Sequence, residues 1–232
     1  MTKDPDFYRR REKAREALDL LPENASGDAG ADRAAFFHQV YARAESDEAA
    51  VPWADLAPKA ELCEWLHENP GAGRTAIDIA CGLGDNAEAI AEAGYQTTAF
   101  DVVPEAVEWA KRRFANSLVD YRVADLFNLP SPWQGSFDLV HECFTLQALP
   151  EAMLARTTEA IAGLMARGGL LLVYTRWRRD GTPVSGPPFP LEERHLLMPQ
   201  SFGLCRIEEK RFTIERADRA IPHVFSIWQK PV

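Results

Sequence analysis

Ala76-Ile77-Asp78-Ile79-Ala80-Cys81-Gly82-Leu83-Gly84-Asp85-Asn86-Ala87 is the stretch whose reading decides the fold. It begins as an apolar run holding one acid and breaks at two glycines. It then continues into Ala87-Glu88-Ala89-Ile90-Ala91-Glu92-Ala93, helical in composition and period. That is a strand, a tight turn and a helix start. Without a Cβ, Gly82 and Gly84 let the chain turn sharply and let a ligand approach the main chain. The amides opening the following helix then face whatever the turn holds.

Downstream the alternation repeats. Apolar runs predict strands over 75–80, 96–100 (closed by Asp101), 119–124 (closed by Asp125), 137–141 and 169–174. Helical periods fall between them over about 85–93, 104–114 and 150–165, the second opened by Pro104, which suits a first helical turn. Alternating βα units imply a parallel sheet with helices on both faces and right-handed crossovers. After a Gly/Pro-rich loop over 181–190 and a short helix, the pattern changes. Cys205–Glu215 and His223–Gln229 read as two extended segments joined by a short polar turn, an antiparallel pair. The predicted fold is doubly wound α/β: a mostly parallel seven-stranded sheet with a C-terminal antiparallel hairpin and an N-terminal helical cap.

Upstream, residues 7–21 read as a charged helix with a narrow apolar edge, and Pro22 to Ala31 as a flexible Gly/Ala/Asp-rich link. Asp32 is a candidate N-cap for a helix over 32–45, whose stripe is Phe36, Phe37, Val40 and Tyr41. An irregular stretch with two prolines, Val51–Pro58, precedes a helix over 59–68. Two units are expected: an N-terminal helical extension over 1–58 as a lid over the ligand edge, its residues 1–45 ordering over the pocket when ligand is present, and a core over 59–232.

The 232 residues are 46% hydrophobic and 26% charged, the balance of an ordinary globule. Thirty-five acids against 26 bases give a net charge of −9, which argues against a nucleic-acid partner. The basic run Arg9-Arg10-Arg11 is interleaved with acids and reads as a solvated helix face. No apolar run approaches the roughly 20 residues that span a bilayer, and the charged start is no secretory signal, so a cytoplasmic protein without membrane contact is expected. Cys63, Cys81, Cys143 and Cys205 lie far apart, giving no metal spacing and no disulfide framework. Monomer and homodimer both stay open.

Ligands of such sheets bind beyond the carboxyl ends of the strands, at the switch point beside strand 1. Gly82-x-Gly84-x-x-Ala87 satisfies the dinucleotide spacing, and Asp101 falls where a ribose-binding acid should. Two features pull away from a nicotinamide. Asp78 sits inside the strand before the turn, where it could accept from a cationic amine or from turn amides. Asp125 could accept from an exocyclic adenine amine. Acids ending three strands suit a ligand with an amino group, a ribose and an adenine, and no phosphate to repel. Each has a plainer reading, since Asp is common in turns after strands. Cys81 reads as a small packing residue.

Over about residues 55–232 the chain resembles the class I S-adenosylmethionine-dependent methyltransferases. The glycine motif is Asp78-Ile79-Ala80-Cys81-Gly82-Leu83-Gly84, with Ala80 replacing the first of the usual three glycines. The resemblance implies that S-adenosylmethionine is the cofactor, with Asp101 and Val102 on its ribose and Asp125 and Leu126 on its adenine. Phe137-Asp138-Leu139-Val140 would be the strand-4 motif. More narrowly, the chain is similar to the thiopurine- and thiol-methyltransferase branch. The carriers are Val51-Pro52-Trp53, Phe144-Thr145-Leu146-Gln147-Ala148-Leu149-Pro150 and Gly186-Pro187-Pro188-Phe189-Pro190. That similarity puts Trp53 near the cofactor and implies a small-molecule substrate against Tyr41 and Phe144. The branch's usual Asp-Arg ending of strand 4 is replaced by His141-Glu142-Cys143.

Methyl transfer is an in-line displacement for which the protein supplies position and a dry pocket. A thiol of ordinary pKa, about 8.5, needs no dedicated base, whereas a hydroxyl or amine needs help. Glu142 or His141 stands where a base or an acceptor of a substrate proton could act, or where one of them simply orients the cofactor amine or a neighbouring backbone group. Arg176 and Trp177 could grip an anionic or aromatic substrate, or form a rim salt bridge and an apolar lid. His38, His67, His195 and His223 show no partner spacing for a metal. An oxidoreductase using NAD, a non-catalytic cofactor binder, and arsenic methylation by a meeting of Cys63, Cys143 and Cys205 are the competing readings.

Overall fold

The computed structural model describes residues 5–19, 33–184, 186–215 and 219–232. The link expected over 22–31, the candidate cap Asp32 and most of the polar turn before β7 lie outside the described residues.

Among the described residues, two helices precede the core. In α1 (Pro5–Asp19), Asp6 takes Arg9 and Arg10 at i+3 and i+4, the spacing that puts side chains together on a helix surface. In α2 (Arg33–Ala44), Phe36, Val40, Tyr41 and Ala44 form one buried stripe. A single 3-10 turn, Glu48–Ala50, is opened by Asp47, whose side chain accepts from the Ala49 amide. Helix α3 (Ala60–Glu68) then leads into the sheet.

The sheet comprises β1 (Thr75–Ile79), β2 (Gln96–Asp101), β3 (Asp120–Val123), β4 (Phe137–Cys143), β5 (Met165–Arg176), β6 (Cys205–Glu215) and β7 (Ala220–Gln229). Its order is β3-β2-β1-β4-β5-β7-β6. The first five pair in parallel; β7 lies antiparallel against β5, and β6 antiparallel against β7. Helices α4 (Asp85–Glu92), α5 (Pro104–Arg113) and α6 (Glu151–Leu164) are the crossovers. The order reverses between β1 and β4, which makes their carboxyl ends the switch point. Predicted and observed elements coincide within a few residues except at β5, which begins at Met165, with an irregular register against β4.

Alternation splits the core. Ile77, Ile79, Val140, Leu171 and Val173 face α6. Ala76, Leu139, Leu172 and Tyr174 face α3 and α4, beside Leu62, Trp65 and Ile90. Asp138, in the strand-4 motif, works at the opposite end of the sheet from the switch point: it accepts from the Thr75 amide at 2.9 Å. No helix among the described residues is long and apolar enough to cross a membrane.

Candidate active site

Three groups of side chains meet at the carboxyl edge. The first is the glycine turn. Ala80, Gly82 and Gly84 all have positive φ, at 51°, 54° and 91°. A Cβ on Gly84 would stand 2.4 Å from the Tyr121 hydroxyl, and that hydroxyl is fixed by donating to Glu88 at 2.6 Å. Asp101 pins the turn from β2: one carboxylate oxygen accepts from the Gly82 amide at 3.0 Å, the other from the Val103 amide at 3.0 Å. Burial pushes its carboxyl up to about 6, against the pull of those amides. Arg113 of α5 clasps the outer side through a two-pronged pair with Asp85.

Over this turn lies α2. The Tyr41 hydroxyl stands 3.2 Å from where a Gly82 Cβ would be and accepts from the Trp53 indole N–H at 3.1 Å. Its ring packs edge-on against Trp53 and Trp109. Arg11 of α1 holds the segment that carries Trp53, donating to the carbonyls of Val51 and Ala54. Trp53 thus lies beside the glycine turn. Tyr41 stands with Trp53 rather than beside Phe144, because the buried stripe of α2 meets Leu83, Val103 and Ala106.

The second group is Asp78 with His141. The parallel register sets these two side by side, and the His141 Nδ1 lies 2.7 Å from an Asp78 carboxylate oxygen, both fully buried. The other Asp78 oxygen and His141 Nε2 have no hydrogen-bond partner among the described residues. Buried polar atoms of native proteins are ordinarily satisfied, so this edge is built for a polar ligand.

Glu142 belongs elsewhere. Alternation turns it to the α6 face, where one oxygen accepts from the Thr145 and Leu146 amides at 3.0 and 3.3 Å. Burial pushes its carboxyl up to about 8, so it carries a proton at neutral pH. Of the two readings of Glu142, a base or a group that orients neighbouring backbone, this geometry fits the second: it caps the turn after β4. An acid raised in this way is penalised as it ionises. Its contribution is fully present below the ordinary carboxylate range and is lost as pH rises through about 8. Asp101 acts in the same sense only up to about pH 6. We expect wild-type stability to fall between pH 6.5 and 8 by an amount on the order of a kcal/mol or more, and the isosteric Glu142→Gln variant to be flat there. Chemical denaturation at each pH checks this, and equal slopes for the two proteins would refute it.

The third group surrounds Phe144, which follows β4 with a φ of 66°. Its ring packs on Tyr174 at 5.3 Å and His223 at 5.9 Å. The Lys59 ammonium stands 4.5 Å from the ring centroid and the Arg176 guanidinium 5.8 Å. Lys59, nearly buried at the start of α3 and paired with Asp55, is a residue that sequence reasoning missed. So is Gln147, whose side-chain oxygen accepts from the Arg176 amide at 2.7 Å and fixes the end of β5. Lys59 carries no motif signal, and Gln147, although inside the quoted 144–150 stretch, was given no role of its own. Trp177, expected beside Arg176, is turned to the opposite face by strand alternation, where it packs on the α6-side core under Arg211.

At the far rim, Asp125 is exposed, its carboxylate accepting from the Phe127 amide at 2.9 Å, and Leu126 leans on the α6-side core. Burial raises the Cys81 thiol and pushes Cys143 up to about 12, so both are neutral packing groups. Among the described residues no three His, Cys, Asp or Glu side chains form a metal-holding group, which leaves arsenic chemistry without its cysteine cluster.

Residues 76–169 match the family model of the methyltransferase domain. The ubiquinone biosynthesis O-methyltransferase of Xanthomonas campestris pv. campestris is 36% identical over 105 residues, 44% of this chain and 43% of that protein. The chain thus matches less than half the length of that curated relative. Among solved structures, one described as the conversion of a disulfide bond into a thioacetal group during echinomycin biosynthesis superposes with a TM-score of 0.70. It is 20% identical, over 85% of this chain and 92% of its own. The N-methyltransferase NodS from Bradyrhizobium japonicum WM9, in complex with S-adenosyl-L-homocysteine, has a TM-score of 0.64 and 22% identity over 84% and 98%.

Proposed function

We propose that this chain, whose sheet has the order of the methyltransferase fold and whose residues 76–169 match the model of the methyltransferase domain, is an S-adenosylmethionine-dependent methyltransferase of a small molecule. One observation carries the reading most: the open oxygen of buried Asp78 beside the glycine turn, at the switch point. A carboxylate has about four lone-pair sites, so Asp101 can accept from its two backbone amides and still hold ribose hydroxyls. Asp78, one oxygen tied to His141, offers the other to the cofactor's ammonium. Gly82 and Ala80 give main-chain approach, Val102 and Trp53 wall the ribose side, and Asp125 with Leu126 receives the adenine at the rim. The unpartnered atoms and the open approach at Gly82 fit such a group. When bound, the cofactor supplies the electrophilic methyl. The protein positions the acceptor and keeps water out beneath α2 and the segment that carries Trp53.

With Glu142 protonated and in use as a turn cap, the acceptor favoured is one nucleophilic on its own, a thiol or other soft nucleophile. A second reading, transfer to a phenol or amine, is favoured by His141: with Nδ1–H donated to Asp78, its Nε2 could take a proton. The first experiment is calorimetric titration with S-adenosylhomocysteine and, in parallel, with NAD. Micromolar binding of the first alone is expected; binding of NAD alone would replace the reading with an oxidoreductase. A matched thiol and phenol panel, assayed with S-adenosylmethionine on wild type and on His141→Gln, then separates the acceptors. Loss of phenol methylation alone assigns the base, and no methylation of any acceptor leaves a cofactor binder.

A further inference from the structure

We propose that Arg33, at the start of the covering helix α2, is an anion seat of the acceptor site, so that the methyl acceptor carries a carboxylate; this rests on the methyl-transfer reading above. Place is the first indication. Arg33, Phe37 and Tyr41 are spaced four apart on α2 and share one face of the helix. Tyr41 stands over Gly82, and Phe37 packs edge-on against Trp53 at 5.6 Å. One turn nearer the start of the helix, Arg33 Nε donates to the Ala148 carbonyl at 3.3 Å, in the 3-10 turn that follows β4. β4 lies on the other side of β1 from β2 and β3, whose ends carry the acids offered to ribose and adenine. The stripe thus runs from the glycine turn to the side of the edge left for the acceptor.

Charge is the second indication. Arg33 is only 8% exposed, yet among the described residues it forms no ion pair, although acids outnumber bases by 35 to 26. Buried charges are ordinarily paired. A guanidinium has five N–H donors, and this one uses a single donor, on a backbone carbonyl. It lies over the rings of Phe36 at 4.4 Å and Phe37 at 5.2 Å, a stacking that leaves the Nη edge for a carboxylate. That edge suits two parallel hydrogen bonds. Burial shifts the guanidinium pKa downward, with no carboxylate to oppose it. The first turn of α2 also holds no acid, so the positive end of the helix adds to the charge of Arg33. A buried cation with open donors, at the acceptor's side of the edge, calls for an anion.

A carboxylate could also come from the cofactor's own amino-acid end, and the test separates the two sources. Full-length protein saturated with S-adenosylhomocysteine is titrated calorimetrically with two matched pairs: 4-mercaptobenzoate and its amide, and 4-hydroxybenzoate and its amide. Each acid that binds is expected to do so about 30-fold more tightly than its amide, the value of a good charged hydrogen bond. Arg33→Met keeps an apolar stem against Phe36 and Phe37 and erases that preference, while Arg33→Lys keeps part of it. Neither changes S-adenosylhomocysteine affinity. Equal affinity of acid and amide in wild type, or binding of none of the four, overturns the proposal. So does an equal loss of acid and amide binding in Arg33→Met, which makes the residue a latch for α2. A tenfold loss of S-adenosylhomocysteine affinity in that variant gives the cation to the cofactor and overturns it too. If Arg33→Met does not fold, the wild-type ranking and Arg33→Lys decide. Failure of wild type to bind S-adenosylhomocysteine removes the methyl-transfer reading itself, a result distinct from equal ranking of the probes.

Discussion

Asp101→Ala is expected to weaken S-adenosylhomocysteine binding by about 100-fold, the largest binding effect of any single substitution at this edge. Two losses add. The carboxylate that would hold the ribose disappears, and hydrogen bonds to a charged group contribute roughly 1.5–3 kcal/mol. The Gly82 and Val103 amides, each now donating to Asp101 at 3.0 Å, lose their acceptor in a buried place, and the turn loosens. Asp101→Asn separates the two, since it keeps the shape and one carbonyl but not the charge. Calorimetry should place it between wild type and Asp101→Ala, while thermal melting shows Asp101→Ala alone clearly destabilised. Unchanged affinity in Asp101→Ala would remove this residue from the cofactor site.

Gly84→Ala is expected to have the largest effect on folding. The position needs a φ of 91°, and the new Cβ would meet the Tyr121 hydroxyl at 2.4 Å, the Tyr121 ring at 3.1 Å and Ala110 at 3.2 Å. Tyr121 cannot simply swing away, because its hydroxyl is held by Glu88 at 2.6 Å. A left-handed conformation plus overpacking suggests a cost of about 3–5 kcal/mol, a large share of the stability of any domain. For a chain of this size that is a fall in melting temperature of roughly 10 °C. Adding Tyr121→Phe should restore part of it by removing the nearest atom. A melting temperature within two or three degrees of wild type would show that the turn yields more easily than its contacts imply.

Most of the sheet was legible because β1 to β4 are short segments rich in apolar, β-branched or aromatic residues, lying between helices of clear period or turn-forming stretches. β5 was read too short. Met165-Ala166-Arg167-Gly168-Gly169 has neither apolar alternation nor β-branched residues, and its pairing with Phe137 is a tertiary matter. The acids at strand ends were visible, and so was their clustering, since strand ends share an edge. What each acid does was not. Asp78 and Glu142 both read as buried carboxylates, and only register and alternation give one a histidine and the other two turn amides. The same period of two should have parted Arg176 from Trp177, because neighbours in a strand point to opposite faces. Lys59 was invisible for another reason. A lysine at a helix start is usually solvated, and its place over Phe144 depends on a strand 80 residues away in sequence.

The order β5-β7-β6 also bears on how the chain assembles during synthesis. β6 leaves the ribosome before β7, yet it pairs with β7 and not with β5. It has no place on the sheet until β7 has been laid down first. β7 also brings Val224 and Trp228 to one layer of the core and Phe225 and Ile227 to the other. Both layers stay open until that strand arrives, so the edge of β5 stays exposed from its own synthesis until β7 follows, and the two faces of the domain close together in one late step.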